Sequence, residues 1–452
     1  MVSDASTAPS PSGSSTSARW FERPGAWFWC ALALGVAARF ALAWWSAGTT
    51  DVELWTQHAS GVARQGLERY YKIAPEFNHP PPIAWAMARA WRLSSEWGLP
   101  FASVYRSFVA LADVAALALL WRALRGHAAR VPSVALYALS PLALALAGQH
   151  GNTDALLGAV LLACVVLAAG ERAVLAGIVL GLSSWIKLPG LLAAPAIGFA
   201  FPRWRERCVC ACVALAVAVV GFAPSYFAAQ ALAASSPGTI PEGVNVMVER
   251  VFGYQGWYVR TTSDPPTFVW GFKNFLFAGF GPDPRAWPSW ARWWVDFSVL
   301  PTVDRSRTVA LAAMFALAFL RRRQRTAREL GVTVALSFVL FCGLVETWTF
   351  QYFAWGMAAW MLLRPSGVLL THVVAGGYLY SVYAFVCGDW RLVATWDFLG
   401  HPHWPRWLTL WRDIANVALA LLGLAALAGA IVGELRAWRG RSAQQQRGSP
   451  AA

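Results

Sequence analysis

The sequence predicts an all-α fold, a polytopic transmembrane bundle of about twelve spans with long external loops carrying amphipathic interfacial helices. Three observations predict it. Hydrophobic residues make up 57% of the 452-residue chain and charged residues only 13%, a balance that suits a bilayer better than water. The apolar residues gather in runs of roughly 17 to 25, the length that crosses a hydrocarbon core. The formal charge of +14 sits in short arginine clusters between those runs. That placement follows the positive-inside rule and argues for membrane lipids as partners, and against nucleic acid, which wants one continuous basic surface.

Taken in order, residues 1–22 read as a disordered cytoplasmic tail, since the Ser, Thr, Ala and Pro tract at their start has no apolar period. The first apolar window, 25–47, is longer than a signal-peptide core and holds Arg39, so it reads as a retained span. Further windows follow at 103–121, 132–148, 153–169, 172–186, 188–202, 209–229, 306–320, 330–346, 350–364, 367–386 and 408–433. Arg122, Arg125 and Arg130, then Arg203, Arg205 and Arg207, then Arg321–Arg323 with Arg325 and Arg328, then Arg436, Arg439 and Arg441 all fall on one side, together with both termini. That side is expected to be the cytoplasm of a multi-pass protein of the cell (inner) membrane. Residues 366–435 read as C-terminal transmembrane helices and 436–452 as a disordered basic cytoplasmic tail.

The opposite, external face receives residues 48–102, the turn at 149–152, Lys187, the long stretch 230–305, residues 347–350 and 387–407. Almost every residue type capable of chemistry lands there. Seven cysteines, with no CxxC pair and mostly inside apolar runs, suggest packing; acylation of the Cys208, Cys210, Cys212 run is the rarer alternative.

The loop after the first span opens on Asp51 and Glu53, and residues 52–67 carry a mixed helical period that suits a helix lying along the surface. A carboxylate against an apolar wall has its charged form disfavoured and can act as a general base; an isolated loop acid is more often merely solvated. Asn78-His79-Pro80-Pro81-Pro82 is stiffened by its prolines, which would hold His79 in one place ahead of an apolar stretch from Ile83 to Trp91. Gly148-Gln149-His150-Gly151-Asn152-Thr153-Asp154 brings several hydrogen-bonding side chains together between two spans. A helix cap accounts for Asn152 alone, but not for Gln149, His150 and Asp154 as well.

Lys187, in SSWIKLPG, is a cation at the same face, where phosphate contact and snorkelling are equally compatible with its position. Arg106 and Asp113 share a helical face seven residues apart, and intramembrane charge, Arg39 included, usually points to a partner or a site. Glu249-Arg250-Val251-Phe252-Gly253-Tyr254 and, later, Gln351-Tyr352-Phe353-Ala354-Trp355 supply the aromatic, amide and basic groups that line carbohydrate sites, and also ordinary interfacial belts.

In this order, TDVELW, NHPPP, GQHGNTD, IKLPG, RVFGY and QYFAW resemble the GT-C superfamily of membrane glycosyltransferases, in the branch using dolichyl- or polyprenyl-phosphate sugars, over about residues 25–365. The resemblance makes residues 23–365 the catalytic module. It implies an inverting hexosyl transfer at the external face from a polyprenyl-phosphate-linked donor to a glycolipid, glycan or protein hydroxyl. Mapped here, Asp51 is the catalytic base with Glu53 the second choice. Lys187 and Arg250 face the donor phosphate, and His79, Gln149, His150, Asn152, Asp154, Tyr254, Gln351 and Tyr352 contact sugar or carrier. NHPPP replaces the tyrosine-containing form and no Asp-x-Asp pair is present, which leaves subfamily and metal use open; no cofactor is otherwise implied. A secondary transporter or lipid flippase is the rival class, weakened by the absence of a visible sequence repeat.

Overall fold

The computed structural model describes residues 24–235, 245–252, 269–270, 288–294, 305–345, 348–397 and 404–447. Their fold is helical throughout, apart from one two-residue antiparallel ladder that pairs Val269 with Thr349 and Trp270 with Trp348. Six helices are long and apolar enough to cross a membrane: Ala26–Trp45, Phe101–Ala123, Trp204–Ala231, Ala327–Leu344, Pro365–Cys387 and Arg406–Gly440. A bent pair, Arg130–Ala138 and Pro141–His150, makes a seventh if read as one span. The bend of 41° falls at Ser140-Pro141. The proline ring displaces the preceding residue from helical geometry, and the Ser140 hydroxyl restarts the helix by accepting from the Ala143 amide at 3.4 Å.

Asp154–Ala169, Ala173–Ile186, Leu188–Ala200 and Ser306–Leu320 are shorter apolar helices that complete the bundle. The 350–364 window holds a 3-10 turn at Phe350–Phe353 and a helix of only seven residues, Ala354–Trp360. Every residue of that helix is buried, so its apolar character comes from core packing and its length does not span a bilayer. Many of the remaining helices turn large apolar side chains outward, among them Leu34, Phe108, Leu111, Val220, Phe227 and Leu421. On helices of this length and composition such a surface is the one lipid covers, and the chain is a helical membrane protein.

Ala173–Ile186 lies against Trp204–Ser235 so closely that a Cβ on Gly177 would come within 2.6 Å of the Cys210 carbonyl oxygen, and one on Gly181 within 2.7 Å of that of Ala214. Small residues let the two backbones meet where no hydrophobic force separates helix from lipid. Cys210 is buried in this contact while Cys208 and Cys212 are exposed, all three as free thiols.

Arg39 and Asp113 form a buried ion pair at 2.7 Å, each with 0% of its side chain exposed. Arg106, on the same helix as Asp113 and buried like it, is not its partner. Arg106 instead reaches back to the end of the first helix, donating to Leu42 O at 3.2 Å, Ser46 Oγ at 2.7 Å and Ser46 O at 2.9 Å. A guanidinium satisfies the helix's last carbonyls and its dipole there.

The last helix continues to Arg447, past the boundary expected at 435. Arg436, Ala437, Ala443 and the glutamines that follow are good helix formers, and adding a residue to a formed helix costs little. Residues 1–23 and most of 230–305 lie outside the described residues.

Candidate active site

After the first span the chain turns through Ser46–Thr49 and enters the helix Thr50–Gln65. Its buried residues, Val52, Trp55, His58, Ala59 and Val62, recur at the spacing of one helical face. That face lies on Pro81–Glu96, whose start is fixed by Pro81 and Pro82 in the first turn. The helical period expected over 52–67 is therefore present, and it leaves Asp51 in the helix's first turn, where the dipole favours a negative charge. Glu53, two residues on, is exposed and points away.

The partners of Asp51 come from a chain reversal one hundred residues later. Leu144–His150 is a π-helical stretch that ends at Gly151, φ +65°. A Cβ at Gly151 would lie 2.7 Å from Arg106 Cγ and 2.8 Å from Val52 Cγ2, so this position requires glycine for conformation and for space alike. The reversal turns its two flanking side chains onto one oxygen. Asn152 Nδ2 donates to Asp51 Oδ2 at 2.6 Å, and His150 Nε2 lies 3.1 Å from the same atom. The capping role weighed for Asn152 is not filled: the helix from Asp154 has no side-chain cap bond, and Asn152 Oδ1 accepts from the Thr153 hydroxyl at 3.3 Å.

The His150 ring is itself held by the Tyr383 hydroxyl, 2.5 Å from Nδ1, and Thr49 Oγ1 donates to the His150 carbonyl at 3.0 Å. Gln149 Nε2 donates to Cys387 Sγ at 2.9 Å, one turn beyond Tyr383. Trp396 Nε1 donates to Thr50 Oγ1 at 3.0 Å, which brings the segment after the Pro365–Cys387 helix over the start of the Asp51 helix.

Lys187 occupies an extended break, φ −164° and ψ 134°, between the helices ending at Ile186 and starting at Leu188. Its Nζ donates to Asp154 Oδ1 at 2.8 Å, and Trp355 Nε1 donates to the same oxygen at 2.5 Å. Snorkelling is thus excluded for this lysine. Its ammonium also lies 5.1 Å from the centroid of the Tyr352 ring, which stacks on Trp355 at 4.1 Å. Gln351 is half-buried on the same short turn. His79 stacks on Trp55 at 4.0 Å, and Tyr71 donates to the His79 carbonyl at 2.6 Å.

The electrostatics overturn one expectation. Burial alone raises the Asp51 pKa, but His150, Asn152 and Lys187 together outweigh it and bring the carboxyl down to about 2. The apolar wall does not hold this acid neutral; its polar neighbours hold it ionised. Burial pushes His58 down to about 4, and burial with the Lys187 charge pushes His79 well below the ordinary histidine range.

Several buried polar atoms in this region have no hydrogen-bond partner among the described residues: Asp154 Oδ2, Gln149 Oε1, His79 Nδ1 and the Tyr105 hydroxyl. Buried groups are nearly always paired, so unpaired ones concentrated around one carboxylate mark a place built to receive a polar ligand. Asp51 retains 28% side-chain exposure and Lys187 15%, so both remain reachable.

Of the residues singled out in the sequence, Asp51, His79, Gln149, His150, Asn152, Asp154, Lys187, Gln351 and Tyr352 gather here. Glu53 does not. Arg250 lies on a helical segment over 246–252 and donates to the Tyr71 carbonyl at 3.3 Å. Tyr254 falls outside the described residues. Tyr383, Cys387, Trp55 and Thr49 carried no signal, because each is an unremarkable residue in an apolar or aromatic run. Among the described residues no group of three His, Cys, Asp or Glu side chains is placed to hold a metal ion. The sequence matches no family model, and it matches no curated protein.

Proposed function

We propose that this protein is an inverting glycosyltransferase of the GT-C type, working in the cell (inner) membrane and moving a mannose- or glucose-type hexose from a polyprenyl-phosphate carrier to an acceptor hydroxyl. The observation that carries the reading is the convergence of one ionised, reachable carboxylate, one lysine and a set of unpaired polar atoms, framed by stacked aromatic rings. On this reading all twelve apolar windows cross or enter the membrane, both termini are cytoplasmic and the Asp51 cluster opens to the external face.

Asp51 is the base. Its Oδ2 is taken by His150 and Asn152, and Oδ1 is left for the acceptor hydroxyl. A carboxylate held near pKa 2 is a weak base at rest. A donor phosphate beside Lys187 offsets one of the charges that depress it, so donor binding strengthens the base at the moment it is needed. As the acceptor oxygen bonds to the anomeric carbon and the bond to the phosphate oxygen breaks, the hydroxyl proton passes to Asp51 and Lys187 stabilises the departing phosphate. Tyr352, backed by the buried Trp355, offers a ring to a sugar, and Gln149 and Asp154 offer acceptors to its hydroxyls.

The test is transfer from a radiolabelled polyprenyl-phosphate sugar by purified protein in detergent. Asp51→Asn is expected to lower turnover by about 10²- to 10⁴-fold with expression and donor binding retained. Full activity in that variant removes Asp51 from the mechanism, and the absence of any glycosylated product from the wild-type protein favours a transporter.

A further inference from the structure

The far end of the bundle holds a second feature of different chemistry, a cavity of about 550 Å³. Its rim includes Arg321, Arg323, Arg364, Ser366 and Gly367. Gly367 and Tyr383 lie on the same helix, sixteen residues apart, which places the cavity about 24 Å along that helix from the Asp51 cluster.

Two sources of positive potential meet at the rim. The first is the pair Arg321 and Arg364. Arg321 donates from Nε to Thr333 Oγ1 at 2.9 Å, the one side-chain hydrogen bond it makes among the described residues, and Arg364 is exposed. The second is the N-terminus of the 23-residue Pro365–Cys387 helix, where Pro365 stands in the first turn and the amides of Ser366 and Gly367 are the free donors. One acid also lines the cavity, Glu434, and its Oε1 already accepts from Arg322 at 3.0 Å and Arg323 at 3.4 Å. Arg321 and Arg364 are therefore not neutralised by it.

The rest of the lining is apolar. Leu320, Val332 and Leu336 come from two helices, and Leu363 from the turn before Pro365. On the last helix Leu422, Ala426, Gly429 and Gly433 follow one another along a single face, a track of about 16 Å. All four contributing helices are apolar and of the spanning or short-apolar kind. A polar solute would leave this floor bare; an amphiphile fills rim and floor together.

We propose that this cavity binds an anionic phospholipid from the adjacent leaflet. Its phosphate sits between Arg321, Arg364 and the helix N-terminus, and one acyl chain runs along the 422–433 face. Basic recesses between spanning helices are suited to phosphate headgroups, and free inorganic phosphate shares that chemistry without the apolar half.

The experiment uses purified full-length protein, delipidated and exposed to phosphatidylglycerol, phosphatidylcholine or inorganic phosphate, with retained ligand counted by native mass spectrometry. Phosphatidylglycerol is expected to be retained in preference to both others. Arg321→Ala and Arg364→Ala should each weaken retention about fivefold. Gly433→Leu keeps every charge and fills the floor, and the built Cβ at Gly433 meets nothing within 4 Å, so the helix accepts it. It should weaken phosphatidylglycerol retention with no loss of thermal stability, since leucine is the better helix former. Equal retention of phosphatidylcholine, equal binding of inorganic phosphate, or undiminished retention in Gly433→Leu each overturns the proposal. Because Gly433→Leu leaves the arginines untouched, it decides the matter even if an arginine variant fails to fold.

Discussion

Asp113 and Asp51 each lie close to a basic side chain inside this bundle, and they are finished in opposite ways. Asp113 receives Arg39 Nε on one oxygen at 2.7 Å and the Tyr137 hydroxyl on the other at 2.5 Å. Arg39 in turn donates to the carbonyls of Gly35, Ala138 and Tyr137. Every side-chain nitrogen and oxygen of the pair has a partner, and neither side chain has any exposed surface. Asp51 receives both its donors on a single oxygen, stays partly exposed, and is surrounded by other groups with unused valences. Burial of charge is common to both regions. What separates a structural pair from a site is whether the hydrogen-bonding capacity is exhausted within the protein.

The largest expected effect breaks the structural member. Removing one partner leaves an uncompensated charge, so Arg39→Ala should cost about 3–5 kcal/mol, seen as a collapse of Tm in detergent. Arg39→Met with Asp113→Leu should recover most of that loss, since a buried pair replaced by apolar groups is close to neutral. Asp51→Asn, by contrast, should leave Tm within a few degrees. Equal destabilisation by Arg39→Ala and Asp51→Asn would erase the distinction between the regions.

Acid should loosen the Asp51 side. His58, on the Asp51 helix, has its pKa lowered from 6.5 to about 4 by burial. The unfolded chain takes up that proton first, so stability is full above pH 6.5 and is lost as pH falls toward 4. The loss should reach about 2 kcal/mol by pH 5, and His58→Gln should flatten it in thermal melts at pH 7 and pH 5. The stability that comes from Asp51's lowered pKa is full above pH 3.8 and is lost only as pH falls from there toward about 2.

The smallest effect tests the reversal that aims His150 and Asn152. Gly151→Ala places a Cβ at positive φ against Arg106 and Val52, a strain of about 1–3 kcal/mol. Activity should fall by more than stability accounts for, because both partners of Asp51 shift. A variant with normal turnover would show that their aim is immaterial.

Much of this arrangement was legible in the sequence. The apolar windows mark helices because spanning length and composition are local properties, and GQHGNTD stood out because so many polar side chains in one short turn between apolar runs are costly without a purpose. Asp51 was found through its position, but its acidity was not, since that depends on three partners distant in sequence. The same limit hid Tyr383, which reads as one more aromatic in a span, and it left Asp113 without a named partner. A residue seven positions away on the same helix is a neighbour that spacing reveals, whereas Arg39 arrives from another helix 74 residues away. The seven-residue helix at Ala354–Trp360 was read as part of a span because a fully buried helix and a lipid-facing one share the same apolar composition.

The Trp396 to Thr50 hydrogen bond joins residues 346 apart, and Tyr383 reaches His150 across 233. During synthesis the acid-bearing helix leaves the ribosome early and its last supports arrive near the end. Until the Pro365–Cys387 helix is inserted, His150 lacks its Tyr383 partner and the start of the Asp51 helix lacks its cover, so a nascent chain holds the carboxylate without its finished surroundings. A chain cut short before Tyr383 would therefore carry every acid and base of the cluster and still lack the contacts that hold His150 and the start of the Asp51 helix.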